Sequence, residues 1–302
     1  MKIAIFGGSG FVGKNLIKTL QSKFDIQEIS LRNSFWQKTI DKETDIMINL
    51  VGKAHDHKGT ATEKDYYFAN VELARQIVEE FKKSDASLLI HVSSIAALEE
   101  LGSDKPLEEI DHCRPLSLYG KTKREAEKLL LDEDLPKNKK IIIIRPPMIH
   151  GPGDKGNLGL LYKMISKGIP YPLASFENNR SFLSIENFCY YVEEIIKKKS
   201  EISSGIYHIC DDESVSTKDI IEIIGEVTRK KTVNLSLPKV IVQKMAKIGD
   251  YIPFPLNTKR LKKMTSNLLV SNEKIKMSLG VEKLSVSAKD GLIKTIKSFQ
   301  TK

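Results

Sequence analysis

The chain predicts an α/β protein: a doubly wound parallel sheet followed by a smaller α/β lobe. Three observations carry that expectation. A β-prone apolar run at residues 2–6 leads straight into Gly7-Gly8-Ser9-Gly10-Phe11-Val12-Gly13 and then into a helical pattern. Further buried-type strands follow, spaced by amphipathic stretches, the alternation that gives a parallel sheet with helical crossovers. Past Pro152 the pattern changes to short helices joined by loops.

Taken in order, the glycines after the first strand allow a tight turn and a close approach of backbone to a pyrophosphate. That group rests on the N-terminus of the helix running from Phe11 to about Lys23. Strand, Gly-rich turn and helix together predict a Rossmann-type dinucleotide site, with Gly7, Gly10, Phe11, Val12 and Gly13 around it. The second strand, about Ile26 to Leu31, runs into Arg32-Asn33-Ser34 with no acidic residue at its end. Arg32 is either a contact for a 2′-phosphate, which favours NADP over NAD, or an exposed loop residue.

Asp45 to Val51 reads as the next buried strand and ends in Gly52-Lys53-Ala54-His55, facing the cofactor. His55-Asp56-His57 sits in a polar loop with no other ligand cluster to answer it, so a substrate lid is expected there and no metal. A long helix spans about Ala61 to Lys83, with Tyr67, Val71, Ala74, Ile77, Val78 and Phe81 on its apolar face. Asn70 interrupts that face, as a surface accident or as a hydrogen-bonding group near the site. Ser87 to Val92 is a fourth buried strand ending in Ser93-Ser94, and Tyr119 to Leu131 is an amphipathic helix. Residues 1–152 then form the cofactor domain, with the chain returning to it near 181–209, and 153–302 are mainly the second lobe. Helices are expected there at about Leu158 to Lys167, Ile185 to Lys198, Thr217 to Arg229, Pro238 to Asp250 and Val286 to Ser298. Asp250 to Leu256, with Pro253 and Pro255, reads as a loop.

Tyr119 and Lys123 stand four apart, one turn from each other on one helix face. A phenol titrates near 10, and bringing it to neutrality requires about 4 kcal/mol of preferential stabilisation of the phenolate. A desolvated Lys and a charged cofactor would supply it. Tyr119 could then move a proton on and off an alcohol oxygen, an effect worth about 10²–10⁴ in rate. A Ser hydroxyl at the end of the fourth strand can hydrogen-bond the same oxygen.

The bulk numbers narrow the classes. The 302 residues are 40% hydrophobic and 29% charged, ordinary for a globular protein. No apolar run approaches a membrane span, and the N-terminus is too soon broken by Gly7 to be a signal peptide. Cys113, Cys189 and Cys210 are widely spaced, which fits a reducing cytoplasm. The net charge of +9 sits in lysine runs that read as spread out and not interleaved with aromatics. That argues against nucleic acid and suits an anionic small substrate.

Gly7-x-x-Gly10-x-x-Gly13, Asn70, Ser93-Ser94 and Tyr119-x-x-x-Lys123, in that order, resemble the extended short-chain dehydrogenase/reductase family of nucleotide-sugar epimerases, dehydratases and reductases. Arg145-Pro146-Pro147-Met148-Ile149-His150-Gly151-Pro152-Gly153 resembles its segment beside the nicotinamide, and Asn178 to Ile185 and Gly205 to Ile209 resemble later strands. The resemblance implies a catalytic trio of Ser94, Tyr119 and Lys123, with Ser93 the alternative to Ser94. Lys123 also binds the nicotinamide ribose, and Asn70 and Pro146 join the cofactor contacts. On the substrate side it implies Arg180 and Asn157 at the nucleotide diphosphate and Arg260 at a second phosphate contact. It also implies a homodimer through the helices carrying Tyr119 and spanning Ala61 to Lys83.

Two departures narrow the reaction. Ile95-Ala96 follow Ser94 where the family's dehydratases carry an acidic pair, so elimination of water is not expected. Ala97-Leu98-Glu99-Glu100 departs from many 4-epimerases. With Arg32, Asn157 and Gly168 to Leu173 it resembles a bacterial subgroup of 4-keto reductases and UDP-N-acetylglucosamine 4-epimerases. The expectation is an NAD(P)-dependent oxidoreductase at C4 of a nucleotide sugar. Arg32 leans it towards reduction of a UDP-4-keto-6-deoxy-N-acetylhexosamine, with a UDP-N-acetylglucosamine or UDP-glucose 4-epimerase as the alternative. A non-catalytic nucleotide sensor is the remote one.

Overall fold

The computed structural model describes residues 1–54, 60–103, 105–154, 156–232, 235–252 and 256–300. His55-Asp56-His57 lie outside the described residues. The first half of the chain alternates strands with helical segments, a single 3₁₀ turn standing between β2 and β3: β1 Lys2–Phe6, α1 Phe11–Leu20, β2 Asp25–Ile29, β3 Ile46–Asn49, α2 Glu63–Tyr67, α3 Leu73–Lys83, β4 Leu88–Val92, α4 Leu118–Leu131 and β5 Lys140–Arg145. The second half supplies β6 Met148–His150, α5 Asn157–Ser166, β7 Phe182–Ser184, α6 Ile185–Lys197, β8 Gly205–His208, α7 Thr217–Thr228, α8 Lys239–Ile248, α9 Thr258–Thr265, α10 Glu273–Leu279 and α11 Ala288–Gln300.

Among the described residues, six strands form one parallel sheet in the order β2-β1-β3-β4-β5-β8, and β6 pairs with β7 separately. This is the doubly wound sheet the alternation predicts. The strands are apolar on both faces because both faces are covered. Ile3, Ile5, Ile48, Ile90, Ile142 and Ile144 face α1 and α6. Ala4, Phe6, Met47, Leu89, Ile141 and Ile143 face α3 and α4. Each fully buried side chain of this size contributes about 1.5–3 kcal/mol. A second core holds α5, α7, α8 and α11 together around Ile221, Ile224, Leu292 and Ile296.

The strand order reverses between β1 and β3, and open α/β sheets bind ligands at the carboxyl ends of strands flanking such a reversal. The Gly-rich turn after β1, Leu50-Val51-Gly52 after β3 and Ser93-Ser94 after β4 all lie at that end.

Two expected boundaries shift. The strand β2 ends at Ile29, so Arg32 falls in the turn that follows and is exposed. The helix expected from Ala61 to Lys83 is broken by a π-turn, Phe68–Glu72, which contains Asn70. Helices α9 and α10 were not expected. Among their residues only Leu261, Ile275 and Leu279 are buried, too few for a helical period to show.

Candidate active site

The turn after β1 needs its glycines. Gly7 has φ +83°, and a Cβ on it would lie 3.2 Å from the main chain of Leu50 and Val51. A Cβ on Gly13 would sit 2.5 Å from Gly8. Helix α1 opens at Phe11 with Gly10 as its N-cap, no side chain capping it and no acid in its first turn. That leaves a positive helix end beside a bare backbone cradle, which fits a pyrophosphate. The Phe11 ring lies next to Gly151 and Gly153, tying the cradle to the loop after β6. Val12 is half-buried against the same core. Pro146 is buried after β5, and its carbonyl accepts from Ile95 N–H at 2.9 Å.

Glu28, which sequence reasoning passed over, lays its side chain across Gly8. A Cβ there would meet Glu28 Cγ at 2.7 Å and Cδ at 2.8 Å. The signal was available: an acid in the second strand, about 20 residues after the glycines begin.

Helix α4 places the catalytic candidates. Ser117 caps it by accepting from Gly120 N–H at 3.0 Å. The Glu100 carboxylate holds the entry to the helix, accepting from Leu116 N–H (3.0 Å), Ser117 N–H (2.8 Å) and Ser117 Oγ (2.9 Å). Gly120 lets the helix lie on the 3₁₀ turn Ile95–Ala97, since a Cβ would come within 2.4 Å of Ala96 O.

One turn along α4, Lys123 is buried and donates to Val92 O at 2.9 Å, at the end of β4, and to Val51 O at 3.3 Å, in the loop after β3. Burial pulls its ammonium down to about 8, against the pull of Glu127 upwards. Tyr119 is half-buried, with its hydroxyl bonded to Ser94. Its pKa is raised, first by burial, while Ser94 lowers it and Glu100 raises it. The lowering expected from Lys123 is therefore absent in the protein alone, because that ammonium is turned to main-chain carbonyls.

The two serines separate. Ser94 Oγ accepts from Ala96 N–H at 3.2 Å, which leaves its proton for the Tyr119 oxygen. Ser93 is buried and donates to Glu127 Oε1 at 2.6 Å. Glu127 also receives Arg145 in a two-pronged pair, Nε to Oε1 at 2.7 Å and Nη2 to Oε2 at 2.6 Å, and Arg124 at 3.1 Å. This buried network underpins α4 and gave no sequence signal, since Glu127 reads as an ordinary helix acid.

Asn70 is buried and fully engaged. Its Nδ2 donates to Thr122 Oγ1 at 2.8 Å and to Lys53 O at 3.3 Å, and its Oδ1 accepts from Lys53 N–H at 2.8 Å. It fixes the loop after β3 to α4. Gly52 in that loop passes so close that a Cβ would lie 2.8 Å from Lys123 Nζ.

The substrate-side candidates lie on other elements. Arg180 donates from Nη1 to Lys263 O (3.0 Å) and Ser266 O (3.1 Å), with burial lowering its pKa. Asn157 is exposed as the first residue of α5, and Arg260 is exposed on α9. Among the described residues no group of three or more His, Cys, Asp and Glu could hold a metal ion.

The chain is similar to known proteins over most of its length. The chain is 29% identical over 266 residues to the UDP-glucose 4-epimerase of Vibrio cholerae, covering 78% of each chain. It is 26% identical over 253 residues to the N-acetyl-alpha-D-glucosaminyl-diphospho-ditrans,octacis-undecaprenol 4-epimerase of Escherichia coli O157:H7, covering 78% of this chain and 75% of that one. The fold superposes on a UDP-glucuronic acid 4-epimerase from Bacillus cereus in complex with NAD with a TM-score of 0.76. That match has 18% identity and covers 100% of this chain and 99% of the other. Residues 3–210, from β1 through β8 and including the glycine cradle and the whole of α4, match the NAD dependent epimerase/dehydratase family, and the chain belongs to it.

Proposed function

We propose that the protein is an NAD(P)-dependent oxidoreductase acting at C4 of a sugar carried on a diphosphate, in the first place a UDP-sugar. The observation that carries this reading is the cluster at the strand ends: Ser94 bonded to Tyr119, with Lys123 one helical turn away against Gly52 in the loop after β3. The cradle and α1 would hold the dinucleotide, whose nicotinamide supplies hydride chemistry when bound. Tyr119 would pass its proton to and from the C4 oxygen, and Ser94 would hydrogen-bond that oxygen. The buried Lys123 ammonium would favour the phenolate once a ribose draws it from the carbonyls of Val51 and Val92.

The curated relatives named above act as 4-epimerases, one on UDP-glucose and one on a diphospho-linked lipid sugar. Glu28 beside Gly8 supports the same direction here. A carboxylate at the cradle favours ribose hydroxyls and disfavours a 2′-phosphate, so NAD that is recycled fits better than NADPH that is consumed. The second reading, a 4-keto reductase using NADPH, rests on Arg32 in the exposed turn after β2. Dehydration has no support: Glu99 accepts from Glu100 N–H and Leu101 N–H, and Glu100 is spent on the α4 entry.

On the substrate side, Arg180, Asn157 and Arg260 are proposed for the diphosphate. A homodimer through α3 and α4 accounts for Tyr67, Phe68 and Leu118 being exposed on that side. The three cysteines are free, which fits a cytoplasmic protein.

The deciding experiment incubates the protein with UDP-N-acetylglucosamine and NAD, and separately with UDP-4-keto-6-deoxy-N-acetylglucosamine and NADPH. Interconversion with the C4 epimer and no net cofactor change supports the epimerase. Stoichiometric NADPH loss replaces it with the reductase and makes Arg32 the 2′-phosphate contact. Turnover in neither overturns the C4 reading.

A further inference from the structure

The basic residues, read above as spread out in short runs, concentrate in one stretch. Between positions 229 and 263 stand ten basic residues and one acid, Asp250. The net charge of that stretch, +9, equals that of the whole chain, so the remaining residues are neutral in sum. Asp250 is itself engaged at the start of α9, accepting from Thr258 N–H at 2.9 Å and Thr258 Oγ1 at 2.6 Å.

The same stretch carries an uncovered apolar face. Helix α8 buries Val242 and Ala246 against the second core and leaves Val240, Ile241, Met245 and Ile248 exposed. At about 100° per residue these four fall in one arc of roughly 140°, with Lys244 inside it and Lys247 at its edge. Tyr251, 91% exposed, and Ile252 continue the face beyond the helix. Lys259, Lys262 and Lys263 are exposed on α9, which packs against α8.

We propose that the α8–α9 hairpin is a docking surface for an anionic lipid bilayer. Both signals that reversible membrane attachment requires are present on α8: apolar side chains able to enter the headgroup boundary, and Lys244 and Lys247 among them for acidic headgroups, with further exposed lysines on the adjoining α9. A nucleic acid would use the charge and leave Val240, Ile241, Ile248 and Ile252 in water. A second copy of this chain would set one strongly basic surface against another. No described helix is long and apolar enough to cross a membrane, so the attachment is peripheral. Arg180, the proposed diphosphate contact, donates to main-chain carbonyls at the end of α9, the helix that packs against α8.

The test is sedimentation of the full chain with phosphatidylcholine vesicles and with vesicles of equal parts phosphatidylcholine and phosphatidylglycerol. Binding to the mixed vesicles alone is expected. It should weaken at least tenfold as salt rises from about 0.1 to about 1 M and the screening length falls from about 10 to about 3 Å. The double variants Ile241→Glu/Ile248→Glu and Lys244→Glu/Lys247→Glu should each lose that binding at least tenfold. All four positions are exposed, and turnover of a water-soluble UDP-sugar should stay within about twofold, so the vesicle result stands apart from the C4 assignment. The proposal is overturned by no binding to the mixed vesicles at low salt, or by binding that both variants retain. Ultracentrifugation without vesicles that shows a dimer dissociated by Ile241→Glu/Ile248→Glu also overturns it, by assigning the face to a second copy.

Discussion

Ser93 and Ser94 differ by one position and by everything they touch. Ser94 shares a hydrogen bond with the Tyr119 hydroxyl, and Ser93 is committed to Glu127. Ser94→Ala should therefore lower kcat by about 10²–10³ with stability unchanged, as for loss of one preorganised donor. Ser93→Ala should leave kcat within a few-fold and lower stability by about 1–3 kcal/mol, since a buried carboxylate loses a donor. Steady-state kinetics and urea denaturation of the two variants decide it, and the reverse pattern would reassign the trio to Ser93. Tyr119→Phe should keep cofactor binding, read by fluorescence titration, and lose about 10²–10⁴ of turnover. At this scale the sequence made much of the site legible, because Tyr119 and Lys123 are set by helical spacing and the glycines by their turn. It could not separate adjacent serines, since which one faces Tyr119 depends on where β4 ends. Nor could it show Asn70 as the pin between the β3 loop and α4, because Thr122 is 52 positions away.

At the scale of elements, α4 is held at both ends of its functional face. Its first turn rests on the Ile95–Ala97 turn through Gly120 and on Glu100 through Ser117. In an isolated helix Gly120→Ala would be stabilising by about 1 kcal/mol. Here the added methyl would lie 2.4 Å from Ala96 O and 2.5 Å from Glu100 Oε1, so the sign should reverse, to a loss of about 1–3 kcal/mol. Turnover should fall at least tenfold, because Tyr119 is the adjoining residue. Thermal melts and kinetics of that one variant check both. The middle of α4 rests on Glu127, which faces Ser93, Arg124 and Arg145 together. Glu127→Met should cost about 3–5 kcal/mol in urea denaturation by leaving the buried Arg145 charge without its partner. Restoration by Arg145→Met in the same chain would identify the lost pairing as the cause. None of this was legible from spacing. The sequence displays periods along a helix, and these contacts join α4 to β4, β5 and the 3₁₀ turn.

The whole molecule buries more ionisable groups than its chemistry needs, and this sets how it responds to acid. His91 is buried, with Nδ1 beside Asn49 Nδ2 at 3.0 Å, and its pKa is held well below the usual value by burial and by Lys123. His208 lies between Leu107 O and Arg145 and is lowered to about 3 by burial first and Arg145 second. A base whose pKa is lower in the folded state binds fewer protons there than when unfolded. The unfolded chain therefore gains protons first as pH falls through about 6.5, and stability declines from there. His150, lowered to about 4 by burial, is offset by its neighbour. Asp211, with Oδ2 at 3.9 Å from His150 Nε2, is raised to about 6 by burial, so between these values the folded pair holds one proton, as the unfolded pair does. His91 and His208 have no such offset; by pH 5 His208, at about 3, should have cost about 2 kcal/mol of stability, and His91 acts in the same direction. The expected outcome is a melting temperature that falls on the order of 10 °C between pH 7 and pH 5. His208→Gln should lower stability at pH 7 and make that fall shallower, whereas His150→Gln should leave the slope nearly unchanged. Equal slopes for wild type and His208→Gln would show that the acid response arises elsewhere in the fold.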